Sequence, residues 1–336
     1  GQTLTAAGGC IIKNLEGLGG SNDETFVIFP EVKELYKKRE DELRQIVAER
    51  KEQISKFEKE NPEKAEKKKK WFNRELPNID WEGIEQKSNQ ATRAASANVL
   101  SVLAENVENM IVGSADLSNS DKTDGFLKKT KAMQAGDFSG AFLQAGVSEL
   151  TLAALSVGMS LHGGVIPACG TFFVFSDYMK PVIRVAALME RPVIFIWTHD
   201  AFRVGEDGPT HQPVEHEAQI RLMEKLQNHS GNNSMLVLRP ADVHETTVSW
   251  KMALENSQTP TGLIFSRQNI TDLPASGNRY KEALQVEKGA YIVQDDADYD
   301  VILLASGSEV STLVEGAKLL NKDGVKTRIV SVPSEG

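Results

Sequence analysis

The sequence predicts an α/β protein built on a parallel sheet with helices on both faces. Between about residues 81 and 274, short apolar runs alternate with longer amphipathic segments, as in successive strand-helix-strand crossovers. The apolar run at 193–197 leads directly into a polar, glycine-broken loop at 198–213. Because the carboxyl ends of parallel strands face the binding crevice, we expect the functional site at this loop.

Residues 1–80 are expected to form an irregular and helical linker. Residues 1 to about 30 are rich in Gly, Thr and Asn, which favours an irregular lead-in. Residues 31–75 are dense in Lys and Glu and predict a solvated helix. Its narrow apolar stripe recurs at helical spacing and consists of Tyr36, Leu43, Ile46, Val47, Ile54 and Phe57. The lysine run at 67–70 has glutamates beside it and therefore indicates a solvated helix face.

The central unit, residues 81–278, supplies the predicted sheet. We predict strands at 110–115, 165–169, 192–197, 235–239 and 262–266, with helices at 148–162, 177–190, 214–227 and 243–256. A last unit, residues 279–336, has strand patterns at 291–294, 301–305 and 328–332 and a helix at 308–322. One crossover is too little to close a core. We therefore expect this last α/β unit to be truncated at Gly336.

Composition and charge narrow the classes of function. The 336-residue chain has a net charge of -9, so it has no general attraction for nucleic acid. Its two cysteines, Cys10 and Cys169, lie far apart and outside any metal or redox spacing. No apolar run approaches membrane-spanning length. We expect a cytoplasmic protein with neither a nucleic acid nor a membrane as partner.

Three short patterns have ordinary explanations. Residues 305–309 follow a strand like a phosphate loop but lack the Walker spacing, so we interpret Ser308 as a helix cap. Ser148 lacks the second glycine of a hydrolase elbow and is also interpreted as an N-cap. Five potential metal ligands lie in or near the polar loop without a recognised spacing, namely His199, Asp207, His211, Glu215 and His216. We predict no metal centre there. Asp207 and His211 could equally brace the turn.

The polar loop resembles a known family. Thr-His-Asp at 198–200 and Val-Gly-Glu-Asp-Gly-Pro-Thr-His-Gln-Pro at 204–213 are similar to the signature of transketolases, the thiamine-diphosphate enzymes that move two-carbon ketol units between sugar phosphates. Further matching strings follow in the family's order at 113–117, 146–149, 170–172, 238–242, 266–269, 306–310 and 332–334. The resemblance covers nearly the whole chain. It implies a thiamine-diphosphate-binding fold and a place in the pentose phosphate pathway.

The resemblance also implies roles for individual residues. Glu149 matches the glutamate that activates the cofactor's aminopyrimidine ring, and His211 is the second catalytic residue. The expected cofactor-binding residues are Asp116, Glu149, Phe172, Phe175 and Tyr178. The expected substrate-binding residues are Arg93, Ser120, His199, Asp207, His211 and Arg267. Spacing alone would favour a buried helix stripe for the three aromatic residues, and a first-turn helix acid for Glu149.

This sequence departs from the family in two respects. Many transketolases have an arginine and a histidine or phenylalanine where this chain has Ser148 and Leu150, which changes the surroundings of Glu149. In the family, the diphosphate and its Mg²⁺ or Ca²⁺ are held by a separate N-terminal domain whose motif does not occur here. We therefore expect a transketolase fragment that is inactive by itself, and a homodimer in the full enzyme.

Three alternatives remain open. The chain could be the C-terminal subunit of a split transketolase that pairs with a diphosphate-binding subunit. It could be a non-catalytic paralogue of a thiamine-diphosphate enzyme. It could also act on an α-keto acid or make deoxyxylulose phosphate, although the complete loop at 205–213 argues against this last possibility.

Overall fold

The computed structural model describes residues 8–20, 28–200 and 204–336. The first residues of the predicted lead-in and residues 201–203 of the polar loop lie outside this set. The chain divides into two compact units, Gly1–Lys67 and Lys68–Gly336. None of the described helices is both long enough and apolar enough to cross a membrane.

The first unit is helical where it is described. Helix α1 (Ile11–Gly17) lies within the predicted irregular lead-in, so that prediction is wrong for these residues. Helix α2 (Pro30–Glu60) carries the predicted apolar stripe, and none of its residues is buried. Pro62 begins a separate helix, α3 (Pro62–Phe72), because proline cannot continue the preceding hydrogen-bond ladder but is tolerated in a first turn. The single helix predicted for 31–75 is thus two helices.

The second unit contains a parallel sheet that confirms the predicted fold class. Its order is β2-β1-β3-β4-β6-β5 among the described strands, and every pairing is parallel. The strands are β1 (Met110–Ser114), β2 (Phe142–Gln144), β3 (Ile166–Phe172), β4 (Ile194–Thr198), β5 (Leu236–Leu238) and β6 (Thr261–Phe265). The helices of this part are α4 (Thr92–Asn106), α5 (Ser118–Asp121), α6 (Asp124–Leu127), α7 (Glu149–His162), α8 (Ser176–Leu188), α9 (His216–Glu224) and α10 (Val243–Glu255).

Each face of the sheet has its own hydrophobic core. Strand β4 alternates between the two, with Ile194 and Ile196 on one side and Phe195 and Trp197 on the other. This follows from the two-residue period of a strand. Helices α4 and α10 cover the first face, and α7, α8 and α9 cover the second. Burial on both faces explains why the strand patterns in the sequence are almost continuously apolar.

A smaller unit follows at the carboxyl end. Helix α11 (Arg279–Ala283) leads into β7 (Tyr291–Asp295), β8 (Val301–Ala305), α12 (Glu309–Lys322) and β9 (Thr327–Ser331). Strand β9 pairs with β7 in antiparallel and with β8 in parallel orientation. Its core residues Val310, Ala317 and Ile329 pack with Ala241 and Leu273 of the central unit. The unit therefore shares its core with the central unit.

Some elements differ from the sequence prediction. Strand β2 and helix α4 were not predicted, and β3 extends to Phe172. Ser148 and Ser308 precede helices, but neither side chain caps its helix. Ser148 Oγ donates to the carbonyl of Ala145 at 2.7 Å. Ser308 Oγ donates to Asp200 Oδ2 at 2.9 Å. The capping interpretation was thus wrong for both serines.

Candidate active site

The candidate site lies where four adjacent parallel strands end. Their register places Ser114 beside Gly170, Phe172 beside Thr198, and Thr198 beside Phe265. The segments that follow these strands therefore leave the sheet along one edge. These segments carry most of the residues that the sequence predicts for the site, and the carboxyl edge of a parallel sheet is the usual place for a ligand.

Several aromatic and histidine rings lie in contact at this edge of the sheet. Phe172 and Phe175 are nearly parallel, with an interplanar angle of 11° and ring centroids 6.0 Å apart. The His199 ring lies 3.9 Å from Phe172, and His211 meets Phe175 edge-on at 5.5 Å. Tyr178 lies at the margin, 6.2 Å from Phe175, and is 61% exposed. We refer to these five residues as the ring cluster.

Glu149 is hydrogen-bonded to the strand that carries Phe172. It is the first residue of α7, and it is buried, with 7% of its surface exposed. Thr171 Oγ1 donates to its Oε1 at 3.2 Å, and Thr171 immediately precedes Phe172 in β3. The positive end of the helix dipole favours a carboxylate at this position. The structure thus bonds a buried acid to Thr171, the residue that precedes Phe172 in the chain.

His199 is buried in a setting that keeps it neutral. It is 2% exposed and adopts a left-handed backbone conformation with φ of 68°. Thr198 Oγ1 lies 3.1 Å from Nδ1, and Asp207 Oδ2 lies 3.6 Å from Nε2. Burial disfavours the imidazolium, and the positive charges of Arg93 and Arg267 add to this, so the pKa of His199 is lowered from 6.5 to about 3. A neutral imidazole can donate one hydrogen bond and accept another.

Two guanidinium groups lie on the same side of the site. Arg267 Nε makes an ion pair with Asp207 Oδ2 at 2.9 Å, and Nη2 of Arg267 contacts Glu206. Arg93 Nη1 donates to the backbone carbonyl of Ser120 at 2.7 Å. Partial burial and the nearby charge of Arg267 lower the pKa of Arg93. Two arginines that repel each other provide a favourable place for a doubly charged anion such as a phosphate ester.

Some of the predicted site residues have no side-chain contact with the rest of the site among the described residues. Asp116 is exposed in a left-handed conformation two residues after β1, and no contact links it to the ring cluster among the described residues. Ser120 contributes its backbone carbonyl to Arg93. Arg93 lies on α4, and Arg267 lies just after β6. These two elements are distant in sequence. The helix α4 that carries Arg93 is thus part of the site although the sequence pattern did not predict it.

The sequence did not indicate Asp121, a buried acid that bonds the end of β1 to the segment after α5. Asp121 is fully buried and accepts hydrogen bonds from Ser114 Oγ at 2.6 Å and from Thr123 N and Oγ1 at 2.9 and 2.7 Å. Burial raises the pKa of Asp121. A Cβ at Gly170 would lie 2.8 Å from its Oδ2, so glycine is needed there. The segment 118–121 resembles an ordinary turn in the sequence, and no spacing indicated this role.

A second missed group joins the polar loop to the last unit. Arg239 bonds Asp200 Oδ2 through Nη2 at 2.9 Å and pairs with Glu217 through Nη1 at 2.9 Å. It also approaches Ser308 at 3.3 Å and Glu309 at 2.5 Å. Asp200 is the third residue of the Thr-His-Asp string. Arg239 and Ser308 both bond the Asp200 side chain. The Thr-His-Asp string therefore connects the polar loop to the C-terminal unit and also supplies His199.

The five potential metal ligands named from the sequence do not form one group. His199 and His211 belong to the ring cluster, and Asp207 Oδ2 lies 3.6 Å from His199 Nε2. Glu215 and His216 instead lie at the start of α9, and their ligand atoms are within 4.8 Å of each other and of an Asp177 oxygen. These five ionisable side chains therefore belong to two separate groups, one at the ring cluster and one at the start of α9.

Comparisons with known proteins agree with this arrangement. Residues 88–272 match the family model described as transketolase, pyrimidine binding domain, and residues 289–336 match that of the transketolase-like C-terminal domain. A transketolase of Bacillus subtilis is 42% identical over 289 residues, which cover 84% of this chain and 41% of that protein. A transketolase of Halalkalibacterium halodurans is 38% identical over 317 residues, which cover 93% of this chain and 44% of that protein.

Solved structures give the same result. A transketolase from Leishmania mexicana superposes with a TM-score of 0.82 at 33% identity, covering 96% of this chain and 46% of that one. A split-gene transketolase, solved as an inactive β4 tetramer, has a TM-score of 0.57 at 27% identity and covers 73% of this chain and 72% of that one. The chain thus spans less than half the length of the two curated relatives described above. It belongs to the transketolase family, of which it contains the pyrimidine-binding region and a C-terminal region.

Proposed function

We propose that this chain supplies the half of a transketolase active site that activates thiamine diphosphate and recognises the sugar phosphate. The observation that carries the proposal is the buried Glu149 carboxylate, which accepts a hydrogen bond from Thr171, the residue before Phe172, together with the stacked rings of Phe172 and Phe175. A flat heteroaromatic ring needs apolar faces and one well-placed polar partner, and these residues provide both. When bound, thiamine diphosphate supplies the carbon centre that carries the ketol unit.

In this proposal Glu149 holds a proton at a ring nitrogen of the cofactor. A positioned proton-transfer group typically contributes about 10²- to 10⁴-fold to a rate. Phe172, Phe175 and Tyr178 surround the aminopyrimidine, and Asp116 contacts the cofactor from the end of β1. The different surroundings caused by Ser148 and Leu150 leave the carboxylate itself in place, since Glu149 is buried while Leu150 is 51% exposed.

The polar half of the site would receive the sugar phosphate. Arg93 and Arg267 bind the phosphate group with Ser120 and the neutral His199. Asp207 and His211 contact the sugar hydroxyls and the reacting oxygen, and His211 acts catalytically. The ion pairs that Arg267 makes with Asp207 and Glu206 must adjust when phosphate binds. A charge-assisted hydrogen bond of this kind contributes about 1.5 to 3 kcal/mol.

The diphosphate end of the cofactor requires a partner in this proposal. We propose that a diphosphate-binding domain or subunit of the same enzyme holds it with Mg²⁺ or Ca²⁺, because the relatives are more than twice as long as the matched region. The similarity to a split-gene transketolase keeps a separate subunit possible. We also propose a cytoplasmic homodimer in the pentose phosphate pathway, organised as linker 1–80, pyrimidine-binding domain 81–278 and C-terminal unit 279–336.

Substitution of Glu149 tests the proposed function. The chain is mixed with the separately produced diphosphate-binding domain of a transketolase, and ketol transfer is measured from a ketose phosphate to an aldose phosphate. Glu149→Gln should lower turnover by about 10²- to 10⁴-fold at saturating cofactor. Glu105→Gln, which removes an exposed carboxylate paired with Lys129, serves as the control and should change little. Near-normal turnover of Glu149→Gln would exclude Glu149 from catalysis and favour a non-catalytic paralogue.

A further inference from the structure

Outside the ring cluster, three ionisable side chains at the starts of two helices lie close together. Asp177 lies in the first turn of α8, and Glu215 and His216 lie at the start of α9. One potential ligand atom from each lies within 4.8 Å of the other two. None of the three residues has a part in the proposed ketol transfer. We refer to them as the α8–α9 cluster.

His216 is the unusual member of this cluster. It is only 3% exposed, yet neither of its ring nitrogens makes a hydrogen bond to a described residue. Its Nε2 lies 3.2 Å from Asp177 Oδ2, and its Nδ1 lies 3.8 Å from Glu215 Oε2. Buried polar groups are almost always satisfied. The two nitrogens of this buried imidazole therefore meet carboxylates at ion-pair distances but without hydrogen-bond geometry.

A bound divalent cation would give the buried Nε2 of His216 a partner. Neighbouring ligands of a tetrahedral Zn²⁺ with bonds of about 2.1 Å are separated by about 3.4 Å, close to the distance between Asp177 Oδ2 and His216 Nε2. Glu215 is exposed, so its carboxylate can approach by rotation about its own side-chain bonds. One imidazole and two carboxylates form a donor set that suits a borderline cation such as Zn²⁺.

Lys180 is the nearest competing cation. It contacts Oδ1 of Asp177 and the side chain of Gln219, which leaves Oδ2 turned towards His216. Oδ2 is thus the oxygen of Asp177 that would hold an ion together with His216.

We propose that Asp177, Glu215 and His216 form a binding site for Zn²⁺ or a similar cation, separate from the ion that accompanies the cofactor. The site joins the two helices that flank the candidate active site. Asp177 is next to Tyr178, and Glu215 follows the segment 205–213 that carries Asp207 and His211. A bound ion would therefore fix that segment relative to the rings, and it would act on the active site by ordering the loop.

Zinc binding to the metal-free chain tests this site. Titration calorimetry is carried out with Zn²⁺ alone and without thiamine diphosphate, so the cofactor's ion does not contribute. We expect one equivalent to bind at micromolar concentration, with a loss of at least 10-fold in affinity for His216→Gln and for Asp177→Asn. Asp177 is half exposed, so its substitution remains informative if His216→Gln fails to fold. His229→Gln removes an exposed histidine and should leave affinity unchanged.

Hydrogen exchange distinguishes this site from adventitious binding. Zn²⁺ should slow amide exchange in residues 204–216 of the parent chain but not of Asp177→Asn. Absence of binding below millimolar Zn²⁺ would overturn the proposal and leave the cluster as an ion pair. Equal affinity in the parent and both variants would also overturn it. These results do not depend on ketol transfer, so they are independent of the proposed function.

Discussion

At the scale of single residues, the charge state of His199 is central to the site. The same burial that brings its ring within 3.9 Å of Phe172 removes the imidazolium from water. Arg93 and Arg267 then oppose its protonation further. The residue is therefore a neutral imidazole near two positive charges, which suits the proposed recognition of a phosphate ester.

The low pKa of His199 predicts a specific dependence of stability on pH. The unfolded chain takes up a proton at this residue below about pH 6.5, whereas the folded protein does so only near pH 3. The free energy of unfolding should therefore fall as the pH decreases from 6.5 towards 3, and this contribution should be constant above 6.5.

Substitution of His199 checks this dependence. His199→Asn suits the left-handed backbone and should reduce the slope of the unfolding free energy with pH by about one proton between pH 4.5 and 6. The measurement is urea unfolding at several pH values. His229→Asn, at an exposed position, should keep the parent slope. An unchanged slope in His199→Asn would show that the histidine is protonated normally.

Arg267 and Arg93 predict a contrast between substrates. Replacing either by alanine should raise KM for phosphorylated sugars about 10-fold or more, and should barely affect an unphosphorylated ketol donor. Steady-state kinetics of the assembled enzyme provides the measurement. Arg184→Ala on the exposed face of α8 serves as a control. Equal losses with both kinds of substrate would indicate that the arginines are structural.

At the scale of elements, a buried ionic group joins α10 to the C-terminal unit. Arg279 Nε contacts Asp242 Oδ2 at 2.6 Å, and Glu245 Oε1 accepts from Tyr291 Oη at 2.5 Å and from Ser331 Oγ at 2.8 Å. Asp242 and Glu245 are at most 1% exposed. Removing one member of such a group leaves an uncompensated buried charge.

This group predicts a difference between two arginines. Arg279→Met should lower the free energy of unfolding by about 3 to 5 kcal/mol, because Asp242 and Glu245 lose their cation. Arg328→Met removes the partner of Asp295 at the surface, where both side chains are partly exposed, and should cost less than about 1 kcal/mol. Denaturant unfolding of both variants provides the comparison. Similar losses in the free energy of unfolding would mean that the buried group does not hold α10 and the C-terminal unit together.

The sequence predicted the long, apolar elements better than the short ones. Strands β3 and β4 are long and buried on both sides, so their apolar runs are clear. Strand β2 has three residues at the sheet edge, and too few side chains to form a pattern. Ser148 and Ser308 precede helices as expected, but tertiary hydrogen bonds take their hydroxyl groups. Local sequence could not indicate those distant partners.

The site was predictable only in part for a similar reason. Phe172, His199 and His211 lie in recognisable strings, Phe175 follows Phe172 by three residues, and the structure brings their rings together. Asp121 and Arg239 belong to networks whose members come from distant segments. Neither has a spacing that sets it apart from an ordinary polar residue. Contacts between remote segments were therefore the part that the sequence could not supply.

At the scale of the whole molecule, the proposed function assigns one end of the cofactor to this chain. The ring cluster and Glu149 suit the aminopyrimidine, whereas the proposed partner holds the charged diphosphate and its ion. Stacking on one ring offsets little of the ordering cost of binding. Each half alone should therefore bind thiamine diphosphate weakly, and the two halves together should bind it tightly.

Calorimetric titration of thiamine diphosphate with Mg²⁺ tests this central claim most directly. The ligand is added to the chain, to the separate diphosphate-binding domain, and to an equimolar mixture at concentrations where the two associate. We expect a Kd of roughly millimolar or weaker for the chain alone, and metal-dependent binding that is at least 10-fold tighter in the mixture than in either part. Stoichiometric, metal-dependent binding of micromolar affinity by the chain alone, or a mixture no better than the partner domain, would contradict the account.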